Sequence, residues 1–238
     1  MFLKNFSIKA LSAALILASA SGAVFAKSYK GDYKGEACPQ PPMLKTGWYL
    51  GLQVGYDTYK VRNQVTSPVG SALVANPVLT ANDWVGGLML GYGTMLNNWF
   101  YLGGEIFADT SNAEQTFSAT AGGTTYTNKF EVNSSYGLGL LPGIKITDST
   151  LTYFRMGWNW ANLKTSETLT AAASNNKSET VNGFVFGIGM ETLIVDSWSL
   201  RGEWDHVAYS GYTTGGGYNT TVSPSNNEYM LGLIYHFG

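Results

Sequence analysis

From Trp48 to the C-terminus, apolar and polar residues alternate one by one in eight stretches. This is the two-residue period of a half-buried β-strand, and after residue 26 there is none of the long apolar runs that a helical membrane protein would show. Four stretches open on an aromatic or apolar cluster, at Trp48, Trp99, Leu151 and Trp198, and four more begin near Trp84, Val132, Val181 and Glu228. Within each set the starting points recur every 47–52 residues. Four such repeats of an up-down hairpin predict an eight-stranded antiparallel meander.

The connections predicted between these strands come in two kinds. Leu96-Asn97-Asn98, Thr147-Asp148-Ser149-Thr150 and Asp196-Ser197 are tight turns made of turn-forming residues. Residues 62–82, 109–130, 162–180 and 209–226 are long and rich in Ser, Thr, Asn, Ala and Gly, and are expected to be loops. Short turns at one end and long loops at the other match the periplasmic and extracellular ends of a transmembrane up-and-down β-barrel.

Parity along each strand sorts the two faces. Trp48, Leu50, Leu52, Val54 and Tyr56 share one face of the first strand, and Tyr49, Gly51, Gln53, Gly55 and Asp57 share the other. The pattern repeats down the chain, for example with Phe154, Met156, Trp158 and Trp160 set against Tyr153, Arg155, Gly157 and Asn159. A lipocalin-like soluble barrel would turn the large apolar face inward and leave glycines on its solvent face, where they cost entropy and pack nothing. With the apolar face turned to lipid, the glycines instead help large and small residues fill a narrow interior. The expected fold is therefore all-β, a lipid-facing transmembrane barrel over residues 46–238. Pro142 falls on the lipid face of the fourth strand without a ladder donor and does not fit the pattern well; a bulge near the periplasmic end would accommodate it, though the sequence shows none.

The N-terminus changes the picture by setting the compartment. Lys4 and Lys9 precede an apolar run from Ala10 to Ala20, and Val24-Phe25-Ala26 places small residues where a signal peptidase cuts. Residues 1–26 are expected to be a cleaved signal peptide, because the run is too short to span a bilayer as a helix. Residues 27–45 then form a periplasmic tether carrying Cys38, the single cysteine, so an intrachain disulfide is excluded. Cleavage removes two lysines and no acid, taking the formal charge from −2 to −4. A mildly acidic chain with no basic block is not expected to bind nucleic acid.

The last strand, Glu228-Tyr-Met-Leu-Gly-Leu-Ile-Tyr-His-Phe237, puts Tyr229, Leu231, Leu233, Tyr235 and Phe237 on one face. It resembles the C-terminal assembly signal of outer-membrane barrels, which implies recognition by the barrel assembly machinery. Gly47-Trp-Tyr-Leu-Gly-Leu-Gln-Val-Gly-Tyr56, Leu141-Pro-Gly-Ile-Lys145, Tyr153-Phe-Arg-Met-Gly157 and Ser199-Leu-Arg-Gly-Glu-Trp204 are similar to the small eight-stranded barrels. That family includes opacity-type surface antigens and barrels like outer-membrane proteins A and X. The resemblance covers residues 46–237. It implies residence in the outer membrane of a Gram-negative cell, a monomer among outer-membrane lipids and lipopolysaccharide, and loops that contact host surface molecules.

Charged residues on the inward face are the richest constellation: Glu105, Lys145, Arg155, Glu191, Arg201, Glu203, Asp205 and Glu228. They could line a selective pore or form a packed polar plug. The plug is preferred, because eight strands enclose an interior just wide enough for side chains, and unpaired buried charge is costly. His206 and Ser210 invite a lipid-A-modifying hydrolase reading, but parity puts His206 on the lipid side and Ser210 in loop sequence, so no catalytic residue is assigned. Two histidines on different strands make no metal site, and glycines at period two within strands are not phosphate cradles. No cofactor is expected. The sequence thus favours a non-enzymatic surface or structural barrel acting through its loops, with a narrow porin as the alternative and a lipid-modifying enzyme behind both.

Overall fold

The computed structural model describes residues 46–66, 73–75, 78–121, 124–169, 175–215 and 219–237. The expected signal peptide, tether and Cys38 lie outside the described residues. Eight strands are the staves of a barrel: β1 (Gly47–Thr66), β3 (Val78–Met95), β4 (Phe100–Ser111), β6 (Thr124–Thr147), β7 (Thr150–Leu169), β8 (Asn175–Val195), β9 (Trp198–Tyr209) and β11 (Asn219–His236). Three short strands complete the chain: β2 (Leu73–Ala75), β5 (Glu114–Ala121) and β10 (Tyr212–Gly215). Each stave pairs antiparallel with its neighbour in the ring, and β11 closes on β1 from Tyr49↔His236 to Thr66↔Asn219. Closure removes the free edges that an open sheet would present inside a bilayer, where no water is available to satisfy them.

The turns at one end follow their chemistry. Asn97 Oδ1 accepts the backbone N–H of Trp99 and Phe100 at 2.9 and 2.7 Å, tying the β3–β4 connection. Asp196, at φ 42°, takes the left-handed conformation that a short Asx side chain tolerates, in the two-residue turn between β8 and β9. Pro142 pairs with Leu102 across β4. Toward β7 the ladder passes over Leu141 and Pro142 and resumes at Gly143↔Tyr153 in the same register. Pro142 is therefore accommodated by a gap in the ladder, and the nearest register shift lies further on, between Lys145 and Thr147.

The four long loops expected at the other end are mostly strand, which corrects the sequence reading. β1 runs on to Thr66, β7 to Leu169, and β6 and β8 begin at Thr124 and Asn175. Thr, Ser and Asn are compatible with a ladder exposed to water on one side, so a polar composition alone does not mark a loop.

Beyond the closed ring the staves part into two four-stranded sheets. One contains β3, β1, β11 and β10 in that order, and the other contains β5, β6, β7 and β8. Among the described residues no ladder joins β3 to β5 or β8 to β10. Instead, Ser210 N–H donates to Asn182 O at 2.7 Å and Lys177 Nζ to Thr213 O at 3.1 Å across the second seam.

Polarity inverts along the barrel axis. In the lower part the outward face is apolar, with Leu52 61% exposed, Ile106 58% and Phe154 63%. Rings border this band on both sides. Trp48 stacks edge-on to Tyr92 and Trp198 to Tyr235 at the turn end, while Tyr56 meets Trp84 and Tyr136 meets Trp160 at the other. Such aromatic girdles mark the two interfaces of a bilayer. Above the second girdle the apolar residues point inward, Val78 excepted. Tyr59, Val61, Leu79, Phe130, Val132, Leu163, Val181, Val207, Tyr209 and Val222 pack into one buried cluster between the two sheets. Their strand neighbours Lys60, Asn82, Lys164 and Ser223 are exposed. In most staves the switch comes from a change of parity in the sequence, as between Tyr56 and Tyr59. In β6 it comes from a bulge between Val132 and Ser134.

Candidate functional site: the charged lumen

Between the girdles the lumen is crossed by two arginines and the carboxylates they hold. Arg155 on β7 and Arg201 on β9 both grip Glu105 of β4, Arg201 Nη1 meeting Glu105 Oε2 at 2.5 Å. Arg155 Nη1 also lies 2.8 Å from Glu203 Oε1 and 2.9 Å from Asp205 Oδ2. Arg201 turns its other edge to Glu191 Oε2, with Nη2 at 2.9 Å and Nε at 3.1 Å. These forked contacts use the planar guanidinium to satisfy more than one carboxylate oxygen at once, which suits a dry, crowded site.

Aromatic rings position the arginines. The Arg201 guanidinium carbon sits 5.2 Å from the ring centres of both Tyr49 and Tyr153, and that of Arg155 sits 4.8 Å from Phe107. The tyrosine hydroxyls then donate to the same carboxylates, Tyr49 to Glu105 Oε2 at 2.9 Å and Tyr153 to Glu203. Both rings lie flat against glycine. A Cβ on Gly91 would run into the Tyr49 ring and one on Gly189 into that of Tyr153, so these glycines are the space the rings occupy.

Two of the charged residues singled out in the sequence do not join the clamp. Lys145 sits at the turn end and pairs with Asp148 at 2.9 Å, because its long stem reaches the solvated mouth where charge is cheaper to hold. Glu228 is buried but accepts from Asn226 Nδ2 at 2.6 Å. It belongs to a second tier in which Asp205, Glu228, Asp57 and Asp83 occupy directly paired positions across β9, β11, β1 and β3. Asp109 joins this tier, accepting from Gln53 Nε2 at 2.5 Å. By sequence Asp57 is an inward residue not singled out with the charges, and Asp109 falls at the edge of the expected loop 109–130. Their signal was the continued alternation of β1 and β4, which puts both inside. His236 was also missed: its Nε2 lies 2.7 Å from Glu191 Oε1.

Ser199, His236 and Glu191 come together near the turn end, yet they do not make a hydrolytic triad. The same His236 nitrogen, Nε2, approaches both Glu191 Oε1 and Ser199 Oγ, the latter at 3.1 Å, while the Ser199 hydroxyl donates to Glu191 at 2.6 Å. A working triad needs the acid on one ring nitrogen and the nucleophile on the other. His206 and Ser210 are not paired with each other either. His206 Nδ1 meets Asn227 Oδ1 at 2.9 Å, and Ser210 Oγ donates to Asn182 Oδ1 at 2.9 Å.

A closed ring of eight antiparallel staves, an apolar outer band between aromatic girdles and a charged interior together define a transmembrane β-barrel of the outer membrane. The chain belongs to the outer membrane protein beta-barrel domain family, whose model matches residues 11–237. It is 25% identical over 174 residues to the 31 kDa outer-membrane immunogenic protein of Brucella melitensis, covering 71% of this chain and 72% of that protein. It is likewise 25% identical over 180 residues to outer membrane protein P1 of Coxiella burnetii, covering 72% and 71%. Among solved structures, the outer membrane protease OmpT of Escherichia coli superposes with a TM-score of 0.51 at 9% identity, over 84% of this chain and 99% of that one. At that identity the likeness is one of fold.

Proposed function

We propose that this protein is a closed outer-membrane surface barrel that acts through its strand-built extracellular extension, as a surface antigen or adhesin, and does not act as a diffusion pore. The observation that carries this reading is the clamp itself, in which Arg155, Glu105 and Arg201 link three staves across the lumen. The apolar cluster above it gives any water path a second, dehydrated barrier. With its interior filled, the barrel presents to the outside an extension held by two packed sheets, a rigid platform for recognition. The immunogenic name of the Brucella relative supports the same reading. Host surface molecules are the proposed partners of the extension. The barrel assembly machinery is the proposed reader of Tyr229, Leu231, Leu233, Tyr235 and Phe237.

The test is conductance of the refolded mature chain in planar bilayers. The closed reading expects no stable unitary steps in the parent protein. Large, long-lived steps would overturn it in favour of the porin alternative. A lipid A mass spectrum that changes when the protein is expressed would instead establish a lipid-modifying enzyme.

A further inference from the structure

The outward face of the β3-β1-β11-β10 sheet is charged differently from its counterpart. On the outward face of the β5-β6-β7-β8 sheet, Lys129 pairs with Glu114 at 2.9 Å and also with Glu131. The two glutamates, Glu131 foremost, hold Lys129 above the ordinary lysine range. Lys164 lies directly across the ladder from Glu131. Among the described residues that face is therefore neutral, Lys129 and Lys164 against Glu114 and Glu131. On the other sheet Lys60 and Arg62 are both exposed, and among the described residues neither has an acidic partner and no acid shares their face.

Most of their neighbours on that face are hydrogen-bond donors, with Val78 opposite Arg62 the apolar exception. Thr80 and Ser225 flank Lys60 across the two ladders, Ser223 flanks Arg62, and Asn82 and Asn227 lie one step below, beside Thr58. The height is equally specific. Lys60 and Arg62 are four and six residues beyond Tyr56, a girdle aromatic on the same face, which in a tilted strand is roughly 10 to 15 Å above the apolar band. That is the layer of headgroup phosphates in the outer leaflet.

We propose that Lys60 and Arg62, with Thr80, Ser223 and Ser225, form a binding surface for the phosphorylated glucosamine headgroup of lipid A in lipopolysaccharide. The guanidinium of Arg62 matches phosphate oxygens two at a time, the Lys60 ammonium supplies a mobile point charge, and the hydroxyls donate to oxygens the cations leave free. The acyl chains of the same lipid lie against Leu52, Val54, Leu88 and Trp84 below, so one amphiphile spans both the basic patch and the apolar band. Charge complementarity selects this occupant, since the unpaired cations face the one anionic layer at their height. The inference does not depend on whether the lumen conducts.

The experiment uses the full mature barrel in nanodiscs, titrated with diphosphoryl lipid A and with lipid A stripped of its phosphates, and read by native mass spectrometry. The parent should bind the phosphorylated lipid about tenfold or more tightly than Lys60→Glu/Arg62→Glu, each cation near an anionic headgroup being worth several-fold. The two proteins should bind the stripped lipid alike. Lys164→Glu, on the neutral sheet, should leave binding unchanged, and heat-modifiable migration in gels should show that every variant is folded. Equal binding of phosphorylated lipid A by parent and double variant, or no preference of the parent for phosphates, would overturn the proposal.

Discussion

Individual side chains in the lumen act with opposite sign according to which tier they occupy. Arg201 holds Glu105 and Glu191 in a site where it is 2% exposed, so its removal leaves two carboxylates with one cation fewer. Arg201→Ala should cost on the order of 3–5 kcal/mol, read as a lower unfolding temperature of the detergent-solubilised barrel. Adding Glu191→Gln should recover part of the loss, whereas adding Glu203→Gln should recover less, because Glu203 answers to Arg155. In the upper tier the logic reverses. Glu228 stands between Asp205 and Asp57 in a row of paired carboxylates, and like charges placed directly opposite repel. Glu228→Gln keeps the oxygen that accepts from Asn226 and should stabilise the barrel by up to about 1 kcal/mol. A fall in unfolding temperature for this variant would mean that the row is compensated by a partner other than Arg155.

At the scale of elements, the extracellular extension is a packed unit with a core of its own. Phe130, in the cluster formed by Val61, Leu163 and Val207, is 2% exposed. Phe130→Ala should cost about 3–5 kcal/mol locally. The expected readout is faster proteolysis of the extension on intact cells, with gel migration of the folded barrel unchanged. Strand continuity also revises where insertions are tolerated. An epitope tag after Leu163 would break the β6–β7 and β7–β8 ladders and should abolish surface display. A tag within 170–174, between the ends of β7 and β8, should be stained on intact cells. Staining of a tag at Ser149 instead would invert the orientation.

For the molecule as a whole, the inversion of polarity sets its depth in the membrane. A barrel with apolar side chains outside below the second girdle and inside above it has one stable vertical position, since sliding in either direction exposes leucine to water or pushes Lys60 into hydrocarbon. Nitroxides at Leu52 and Ile188 should therefore show the highest oxygen accessibility, and one at Lys60 should be reached by aqueous nickel. Labels at Trp48 and Tyr56 should lie near the two interfaces. Mid-bilayer depth for Tyr56 would contradict the placement of the girdle and the basic patch above it.

The sequence alone located the staves between the girdles, their two faces there and the membrane they cross, because a two-residue period and the size of side chains are local properties of the chain. Trp48 to Tyr56 could be placed outward and Arg155 and Arg201 inward by counting. Counting could also have found the inversion, since the apolar parity of β1 changes between Tyr56 and Tyr59. Its meaning, however, depended on knowing that β1 stays paired to Thr66. Only the tertiary structure decided the partnerships. Glu105, Arg155 and Arg201 sit on β4, β7 and β9, strands that do not neighbour one another, and they meet because barrel closure and strand stagger bring those inward positions to one level. The same long-range geometry put Lys145 at the mouth with Asp148, lined Asp57 and Glu228 into one row, and divided the upper staves into a neutral sheet and a basic one. Side-chain period belongs to each strand by itself, whereas register across a closed ring belongs to all eight together.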